Sequence, residues 1–579
     1  MKTTKPKKTR VWKPRPGFNP TFVYGLDTED KDGEPMLYAL ESRQGVKTYK
    51  AGPEARLELL RELTYNDEPK AVFCLNLQYD LVNLFGESLL DVVQPFCARK
   101  RLVGARLRFA GNVRFFAIER FLPKMTLQEL GDLVGVKKLL LPFDDPRRVA
   151  QDAKIARVVG ERIIREMDKL DIPLKYSPVS GAVAALERDS GAKMPDAPPL
   201  SLVAGKQALY GGRTEVYFCG KYQKAEGHLF YFDFVAAYGR AMLLPLPDYS
   251  TSYVSRVPQE SFYIADVEVE VESVIPGVGP LPFHFKDGGL CFPVGTFRGW
   301  YTDVDLSLPG VKVVKYHKVV NFPQTGAFLK PITKRLLPKP GCHKITKAIR
   351  KNLYTGLSGK FSQNNEFTLF IHGEKARPED YWQGVPFGDW MLVDRKGRPP
   401  RTTNYVWSAY IQARNRVWQF QLYMSIYTAG GKLLYGDTDS ALAWLPNAIT
   451  ARKIQASQEL VTKSLPLVEA ELLSPKVYRM VEKDGTVHLS TKGVPRRLIT
   501  EATVLGEDTI TGEVPDSFFM LLKANQAGQS FRNTWRKRKW QFRATNRNRQ
   551  LQGKDSWTNP LTIVNGVVQS RRLKKGGKK

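Results

Sequence analysis

The chain has 579 residues, 42% of them hydrophobic, and a formal net charge of +30 at pH 7. Its length exceeds what one hydrophobic core supports, so several globular domains are expected. No apolar run is long enough to span a bilayer, and the basic N-terminal residues lead into no apolar segment of the kind that a secretory signal needs. The five cysteines form no Cys-x-x-Cys pair, which argues against a zinc site or a disulfide framework and favours a reducing compartment. We therefore expect a cytoplasmic protein that is neither secreted nor held in a membrane.

The positive charge is concentrated towards the two ends of the chain. Residues 1–20 contain seven Lys or Arg and no acid, and residues 523–579 contain sixteen against a single acid. Lys and Arg neutralise phosphates and aromatic faces stack on bases, so this composition indicates nucleic-acid binding, although a merely solubilising tail would have the same charge. The aromatic residues interleaved with the C-terminal charges are Phe531, Trp535, Trp540, Phe542 and Trp557.

The first third of the chain predicts strands and helices that carry four acids. Residues 21–27 predict a strand, residues 71–75 a buried strand followed by a helix, and residues 144–170 a long amphipathic helix. Between them, residues 106–120 predict two strands around a Gly-Asn turn, and Thr126 opens a helix with a capping-box pattern. Each acid alone suggests only a surface charge, but two divalent ions need several carboxylates from different elements, so the ordered set predicts a two-metal nuclease. The four acids are Asp27, Glu29, Asp80 and Asp152.

The middle of the chain predicts a connector, a strand that ends in an acid, and an acidic hairpin. Residues 176–209 predict a helix followed by a Pro-, Gly- and Ser-rich connector, and Asp233 ends an aromatic strand. Residues 432–444 predict two short strands joined by a turn that holds Asp437 and Asp439. Such a turn is either simply solvated, since Asp and Gly favour turns, or a metal site, since paired carboxylates hold Mg²⁺ against phosphate.

Residues 341–361 predict a helix with a basic stripe, because Lys and Arg recur there at spacings of three and four. Such a stripe is either a solvated face or, if it faces a triphosphate, a clamp for negative charge. The residues of the stripe are Lys344, Lys347, Arg350 and Lys351.

Taken together, these segments resemble family B DNA polymerases. The stretches FDFVAAYGRAM, KNLYTGLSGKF and YGDTDS, in this order, resemble that family's motifs A, B and C. Upstream, LDTE, NLQYD and AQDAKIA resemble its three 3′–5′ exonuclease motifs, while LYGGRTE resembles the YxGG linker and KVY the KxY motif. The resemblance runs from about residue 21 to about residue 500, and so many motifs in one order make it specific.

The resemblance implies a DNA-templated DNA polymerase that adds dNTPs to a 3′-hydroxyl with two Mg²⁺ ions, for which Mn²⁺ is expected to substitute. Asp233 and Asp439 would be the main metal ligands, with Asp437 as a supporting acid. The residues that would contact the incoming dNTP are Lys351, with Lys347 as a second candidate, and Tyr238, whose ring would exclude a 2′-hydroxyl.

The resemblance also implies an associated 3′–5′ proofreading exonuclease. Its metals would be held by the four acids of the first third of the chain. The residues that would contact DNA are Asn76, Tyr79, Thr126, Leu127 and Lys138 (or Lys137) at the exonuclease site, and Gly211, Gly212, Lys476 and Tyr478 at the polymerase site.

The fold that the resemblance implies is α+β and multidomain. It combines a ribonuclease-H-like α/β exonuclease domain with a right-hand polymerase that has an antiparallel palm, helical fingers and a thumb. The expected boundaries are a basic flexible arm at 1–20, the exonuclease domain at 21–175, a connector at 176–209, the palm at 210–329 and 362–500, the fingers at 330–361, and a basic thumb with a C-terminal tail at 501–579.

Within the family, the short connections resemble the protein-primed branch of phages, linear plasmids and related viruses. This implies a monomer that binds primer-template DNA, dNTPs and a terminal protein in the cytoplasm of a bacterial host. Residues 255–335 are the expected insertion that contacts the terminal protein, and residues 362–402 an insertion for processivity, with an ordinary palm connection as the alternative for each. The alternative function is a polymerase that uses nucleic-acid primers, or starts without a primer, and has a weak exonuclease.

Five positions depart from the family's motifs. Arg148 stands where the third exonuclease motif has a tyrosine, which bears on nuclease activity. Gly239 stands where motif A has a proline, and Leu209 where the linker motif has its tyrosine. Thr355 and Ser358 replace the Asn and Tyr of motif B, which bears on fidelity.

Three other functions fit parts of the sequence. A stand-alone exonuclease would leave motifs A, B and C without a role. A nucleic-acid-binding protein with a decayed active site would lack Asp233 or Asp439, and both are present. A sugar-nucleotide transferase also uses Asp-x-Asp with a metal, but it has no need of the basic C-terminal region.

Overall fold

The computed structural model divides into two compact units. One unit comprises residues 1–195, 331–403 and 515–536, and the other comprises residues 196–330, 404–514 and 537–579. The structure describes residues 17–98, 101–189, 199–223, 227–285, 288–363, 366–379, 384–396, 402–458, 460–462, 466–495, 498–499, 509–529, 535–541, 548–553, 555–564 and 567–569.

The first unit is built on a mixed sheet of seven strands. Strands β1, β4 and β7 run parallel in its middle, and the outer strands pair antiparallel, in the order β3-β2-β1-β4-β7-β6-β5. This arrangement places the ends of β1 and β4, where the acidic motifs lie, next to each other. The strands are β1 (Phe22–Lys31), β2 (Glu34–Ser42), β3 (Gly45–Lys50), β4 (Lys70–Cys74), β5 (Val93–Ala98), β6 (Arg101–Leu107) and β7 (Val113–Ala117).

The helices of this unit pack on the sheet through apolar faces. Helix α5 begins with the predicted capping box, in which Thr126 and Glu129 exchange side-chain and backbone hydrogen bonds. Its partner α6 begins at an Asp145 cap and buries an amphipathic face, as the sequence predicts. The helices are α1 (Pro53–Thr64), α2 (Leu77–Phe85), α3 (Leu89–Val92), α4 (Ile118–Phe121), α5 (Leu127–Val134), α6 (Pro146–Lys169) and α7 (Pro178–Asp189).

A glycine determines how closely α6 approaches the sheet. A Cβ added at Gly25, in the middle of β1, would lie 1.9 Å from the Ala153 carbonyl oxygen and 2.6 Å from the Arg157 amide nitrogen. Only a residue without a side chain therefore fits where the helix backbone crosses the strand. The close crossing brings Asp152 of α6 beside the end of β1.

Later parts of the chain complete the first unit. The Asn352 side chain, on the predicted motif B helix, donates to the Arg120 carbonyl oxygen over 2.6 Å. Phe518, Leu521 and Leu522 enter the apolar core of the seven-stranded sheet. These elements are α11 (Lys330–Leu336), α12 (Lys344–Lys360), a three-stranded sheet of β19 (Glu366–His372), β20 (Val385–Phe387) and β21 (Trp390–Lys396), and α15 (Phe518–Gln526).

The second unit contains a largely antiparallel sheet that carries the acidic hairpin. The order along its main path is β27-β26-β25-β10-β23-β22-β8, and α13 packs against it. Its elements are α8 (Pro199–Gln207), β8 (Thr214–Val216), β9 (Phe218–Tyr222), β10 (His228–Phe234), α9 (Ala237–Leu243), α13 (Tyr405–Thr428), β22 (Lys432–Asp437), β23 (Ser440–Leu445), α14 (Ala448–Gln458), β24 (Leu460–Thr462), β25 (Leu467–Ser474), β26 (Val477–Glu482) and β27 (Val487–Thr491).

A second sheet of this unit has the order β12-β17-β13-β16-β33-β34. Most of it lies within residues 255–335, the predicted first insertion. The remaining elements of the unit are β11 (Leu246–Pro247), β12 (Tyr253–Ser255), β13 (Tyr263–Val271), β14 (Phe283–His284), β15 (Leu290–Cys291), β16 (Val294–Thr302), α10 (Asp303–Leu306), β17 (Val311–Asn321), β18 (Thr325–Gly326), β28 (Thr509–Pro515), β29 (Trp535–Gln541), β30 (Arg549–Gln550), β31 (Ser556–Trp557), β32 (Asn559–Pro560), β33 (Thr562–Val564) and β34 (Val567–Gln569).

Two predicted segments differ in detail from the structure. The connector predicted at 176–209 contains a second helix, α8, in addition to α7, because the Gly and Ser residues after Pro199 are compatible with a helix that packs on α13. The described part of the C-terminal region is not a detached tail, since β31 pairs with β9 and β33 pairs with β16. The predicted arm at 1–20 lies outside the described residues, except for residues 17–20. Among the helices that the structure describes, none is long and apolar enough to cross a membrane.

Candidate functional sites

Three of the four acids predicted for the nuclease form one cluster. Carboxylate oxygens of Asp27, Glu29 and Asp152 all lie within 4.8 Å of one another. Asp27 and Glu29 are two residues apart on β1 and so share a face, and α6 delivers Asp152 across Gly25. Hard carboxylate oxygens in this number fit Mg²⁺ or Mn²⁺, so the residues present match the predicted cofactor.

The fourth acid, Asp80, lies beside the cluster and is fixed by β1. Its Oδ1 accepts hydrogen bonds from the Thr28 amide over 3.1 Å and from the Thr28 hydroxyl over 3.0 Å. Burial raises the pKa of Asp80 well above its ordinary value, and the Thr28 hydrogen bonds oppose that rise. Burial also raises the pKa of Asp27, and the charges of Asp80, Asp152 and Glu29 raise it further. The site therefore holds mutually repelling carboxylates, which a divalent cation would stabilise.

Two basic side chains already contact this cluster. Lys138 Nζ lies 2.6 Å from Asp152 Oδ2, and both side chains are largely buried. The sequence left Lys137 as an alternative, but Lys137 is exposed and its carbonyl accepts a hydrogen bond from Gln151. Arg148 Nε lies 3.0 Å from Glu29 Oε1.

The residues predicted to contact a single-stranded 3′ end surround α2 and α5. Asn76 is exposed at the start of α2, and the Tyr79 hydroxyl contacts the Asp30 carboxylate, next to Glu29. Thr126 caps α5, where its hydroxyl accepts from the Glu129 amide over 3.2 Å. Leu127 is buried in the first turn of that helix, so its contribution to the site is to anchor α5.

In the second unit, the predicted polymerase acids lie on adjacent strands. Strand β10 pairs with β23 so that Asp233 is opposite Ser440, and the Phe234 amide donates to the Asp439 carbonyl over 2.9 Å. The pairing brings motif A and motif C together, as the sequence predicts. Thr438 adopts a left-handed conformation (φ 60°), which turns the chain between Asp437 and Asp439.

Several side chains contact the carboxylate oxygens of Asp437. Lys476 Nζ lies 2.8 Å from Oδ1 and 2.9 Å from Oδ2. Thr214 donates to Oδ1 over 3.2 Å and the Tyr435 hydroxyl to Oδ2 over 3.3 Å. These contacts agree with the supporting role predicted for Asp437.

The linker motif packs directly on this hairpin. A Cβ added at Gly212 would lie 2.6 Å from Thr438 Cγ2, and the Thr438 amide donates to the Arg213 carbonyl over 2.6 Å. A Cβ at Gly211 would meet only a Leu290 methyl carbon at 3.8 Å. Gly212 is therefore the glycine that the close approach requires, while Gly211 stays a predicted DNA contact.

Two tyrosines predicted for the site have defined partners in the second unit. The hydroxyl of Tyr238, on α9, donates to Gln412 Oε1 over 3.3 Å. Burial raises the pKa of Tyr238, and the charges of Asp439 and Asp437 add to that rise. The ring centroid of Tyr478, next to Lys476, lies 5.5 Å from that of Tyr435. Tyr478 thus supports the strand that carries Asp437.

The basic stripe of α12 separates into two kinds of residue. Arg350 donates to the carbonyl oxygens of Arg335 and Leu337, both over 2.9 Å, so it closes the end of α11. Lys347 and Lys351 are exposed, as expected for side chains that would bind a phosphate. Arg350 is therefore held against the end of α11, and spacing alone could not separate it from its neighbours.

Sequence reasoning missed a buried ion pair beneath the linker. Arg416 of α13 contacts both carboxylate oxygens of Asp305 over 2.8 Å and donates to the Tyr210 carbonyl over 2.7 Å. Both side chains are almost completely buried. The run of Arg and Asn residues inside an otherwise apolar helix was the available signal, because buried charges need fixed partners.

Comparison with known proteins finds one family model that matches part of the chain. Residues 205–419 match the family model described as DNA polymerase type B, organellar and viral. By this match, residues 205–419 resemble type B DNA polymerases. The match contains motifs A and B, and it agrees with the family and enzyme class predicted from the sequence.

The polymerase also shares its fold with solved structures. Phi29 DNA polymerase complexed with primer-template DNA and incoming nucleotide substrates matches with a TM-score of 0.68 at 15% identity, over 90% of this chain and 100% of that chain. Phi29 DNA polymerase complexed with single-stranded DNA matches with a TM-score of 0.63 at 16% identity, over 86% of this chain and 97% of that chain. The predicted α+β multidomain fold is thereby confirmed. No curated protein sequence matches this polymerase significantly.

Proposed function

We propose that this polymerase extends a 3′-hydroxyl on a DNA template with two Mg²⁺ ions and removes mispaired ends with a 3′–5′ exonuclease. The observation that carries the polymerase part is the pairing of Asp233 opposite Ser440, which places it beside Asp439. The acid cluster around Asp27 supports the exonuclease part. Primer-template DNA and nucleotides, present in the similar Phi29 complex, are the proposed substrates.

In the polymerase reaction, Asp233 and Asp439 would hold the metal ions. Bound there, the ions supply Lewis-acid activation of the attacking oxygen and neutralise phosphate charge. Asp437 keeps the turn in place through Lys476 and Thr214, so the two ligand carboxylates stay fixed. The partly buried Tyr238, whose hydroxyl donates to Gln412, would close the sugar pocket against a 2′-hydroxyl, and Lys351 and Lys347 would bind triphosphate oxygens.

In the exonuclease reaction, the four acids of the first unit would hold the metals. Lys138 orients Asp152, and Thr28 orients Asp80, so both carboxylates keep one conformation before DNA arrives. Asn76, Tyr79 and Thr126 bind the displaced 3′ end. Burial and the charges of its acidic neighbours raise the pKa of Asp27, and a divalent cation held by the cluster would stabilise the charged form of this group.

We propose in addition that synthesis starts on a terminal protein. The support is the sheet β12-β17-β13-β16, which occupies the segment predicted to contact such a partner. Residues 362–402 contain the sheet β19-β21-β20, the segment predicted to aid processivity. Extension of nucleic-acid primers alone is the second candidate, because the description of the family model that matches residues 205–419 names no mode of priming.

The test follows a 5′-labelled primer on a longer template, with Mg²⁺, with and without dNTPs. Wild type should lengthen the primer with dNTPs and shorten it without them. Asp439→Asn should lose only lengthening, and Asp152→Asn only shortening. Loss of both activities in either variant would contradict the assignment of two separate sites.

Priming needs its own experiment. The polymerase is incubated with template, labelled dNTP and the purified product of a neighbouring gene, and the protein fraction is examined for covalently attached label. Label that depends on Asp439 supports protein priming. Efficient primer extension without any labelled protein supports the nucleic-acid-primed alternative.

A further inference from the structure

Arg148 occupies an unusual position for a cation inside a site that would bind cations. It lies in the first turn of α6, and its Nε lies 3.0 Å from Glu29 Oε1. The two side chains are 16% and 9% exposed, so water screens this pair only weakly. Glu29 groups with Asp27 and Asp152, so Arg148 contacts a member of the acid cluster.

Further contacts hold the guanidinium in place. One terminal nitrogen of Arg148 donates to the Leu141 carbonyl over 2.9 Å, and the guanidinium carbon lies 3.8 Å from the centroid of the Phe143 ring. Both partners belong to the segment that leads into α6. A guanidinium fixed by a carbonyl and an aromatic face stays beside Glu29 even when other cations enter the site.

The second cation, Lys138, is placed differently. It contacts Asp152 over 2.6 Å, whereas Arg148 contacts Glu29. Asp152 and Glu29 therefore each have their own basic partner. Two positive charges thus offset part of the negative charge of the cluster before any metal binds.

We propose that Arg148 is a built-in counter-ion of Glu29, a positioning residue that stabilises the metal-free exonuclease site and lowers its affinity for divalent metal. The inference rests on the proposed exonuclease function of this acid cluster. Its physical basis is that a dication held by the acid cluster would be repelled by the guanidinium that is fixed beside Glu29. Removing Arg148 should therefore have opposite effects on the metal-free and metal-bound protein.

The test measures thermal unfolding of the full chain against Mn²⁺ concentration. All proteins carry Asp439→Asn, so that binding at the polymerase acids contributes little. Arg148→Gln should unfold several degrees lower than its parent in metal-free buffer, because Glu29 loses its partner. Its half-saturating Mn²⁺ concentration should fall about tenfold, since the repelling charge is gone.

Arg147→Gln is the matched control. Arg147 is the neighbouring residue in the same helical turn, but its side chain is 74% exposed and pairs with Asp145 outside the cluster. This variant should keep the parent's metal-free unfolding temperature and Mn²⁺ dependence. Arg148→Lys, which keeps the charge, should keep the parent's half-saturating concentration.

Two results would overturn the inference. One is an Arg148→Gln protein that unfolds lower by the same amount at every Mn²⁺ concentration, since that describes a purely structural role. The other concerns the double variant Glu29→Gln/Arg148→Gln, which keeps the inference testable if the single variant does not fold. The double variant should be more stable than Arg148→Gln in metal-free buffer, and equal or lower stability contradicts the proposed pairing.

Failure of the exonuclease assignment itself would look different. Asp152→Asn in the same background should lose most of the Mn²⁺-dependent gain in unfolding temperature. If the parent shows no such gain, or Asp152→Asn keeps it, the acid cluster does not bind metal and the proposed function fails. If Asp152→Asn loses the gain while Arg148→Gln leaves half-saturation unchanged, only the role of Arg148 fails.

Discussion

Lys476 Nζ lies between the two carboxylate oxygens of Asp437, 2.8 Å from one and 2.9 Å from the other. Lys476 itself adopts a left-handed backbone conformation (φ 65°) in the turn between β25 and β26. The positive charge of Lys476, in the KxY motif, thus compensates the negative charge of Asp437, in motif C of the same sheet.

Replacing Lys476 by Met should reduce primer extension about tenfold or more and leave primer shortening unchanged. Asp437 would then carry an uncompensated charge near the DNA phosphates, and the hairpin would lose a bridging contact. Single-turnover extension with and without dNTPs measures both activities on one preparation.

Lys483→Met is the control for that experiment, because Lys483 is exposed at the far end of β26. It should behave as wild type in extension. Lys476→Arg should recover part of the lost activity, since it keeps the charge. Equal losses in Lys476→Met and Lys483→Met would point to a general effect of charge on DNA binding.

The three acids of the palm should differ in their effects. Asp233→Asn and Asp439→Asn should each reduce extension by about 10³-fold or more, since each removes a proposed metal ligand. Asp437→Asn should reduce it by roughly 10- to 100-fold, because that acid is already paired with Lys476. Extension rates at saturating dNTP, beside unfolding temperatures, give the ranking. If Asp437→Asn were as inactive as Asp439→Asn, Asp437 would be a direct metal ligand.

Gly25→Ala should abolish primer shortening and leave extension at wild-type level. The added methyl would meet the α6 backbone, so the helix must shift and carry Asp152 away from Asp27. The free energy of unfolding of the first unit should fall by about 2 kcal/mol or more. Gly111→Ala is the control, because nothing lies within 4 Å of a Cβ at that position. Normal shortening by Gly25→Ala would show that Asp152 need not lie against β1.

Glu119 should make stability depend on pH. Burial raises its pKa from 4.5 to about 7, so the folded protein keeps a proton that the unfolded chain releases. This stabilising contribution is complete below pH 4.5 and is lost as the pH rises through about 7. Glu119→Gln should therefore raise the free energy of unfolding by about 2 kcal/mol at pH 8 relative to wild type, with little change at pH 5. Chemical denaturation at the two pH values measures it.

The matched control for Glu119 is Glu87→Gln, at an exposed acid of the same unit. Any change that Glu87→Gln causes in the free energy of unfolding should be the same at pH 5 and pH 8. A Glu119→Gln protein whose stability difference from wild type is the same at pH 5 and pH 8 would contradict the predicted proton uptake.

Local features of the fold could be predicted from the sequence because neighbouring residues determine them. The turn at Asp437 and Asp439 follows from turn residues between two apolar runs, and the cap at Thr126 follows from its spacing to Glu129. The shared face of Asp27 and Glu29 follows from the period of a strand. The order of the motifs along the chain then predicted the family.

Contacts between distant segments could not be predicted. Nothing near Arg148 in the sequence indicates Glu29 as its partner, and nothing near Arg350 indicates the carbonyls that close α11. The choice between Lys137 and Lys138 likewise depends on where α6 places Asp152. Tertiary packing decides such pairings, and spacing along one element carries no information about it.

Arg549 donates to Glu215 within the second unit, and the two residues are separated by 334 positions along the chain. Both side chains are almost completely inaccessible, so Glu215 lacks this buried partner until the last part of the chain has been made. At about 10 residues per second, a ribosome needs roughly half a minute to cover that interval. The sheet that holds Asp437 through Thr214 is therefore completed late, because in newly made chains Glu215 has Arg213 as a basic partner but still lacks Arg549.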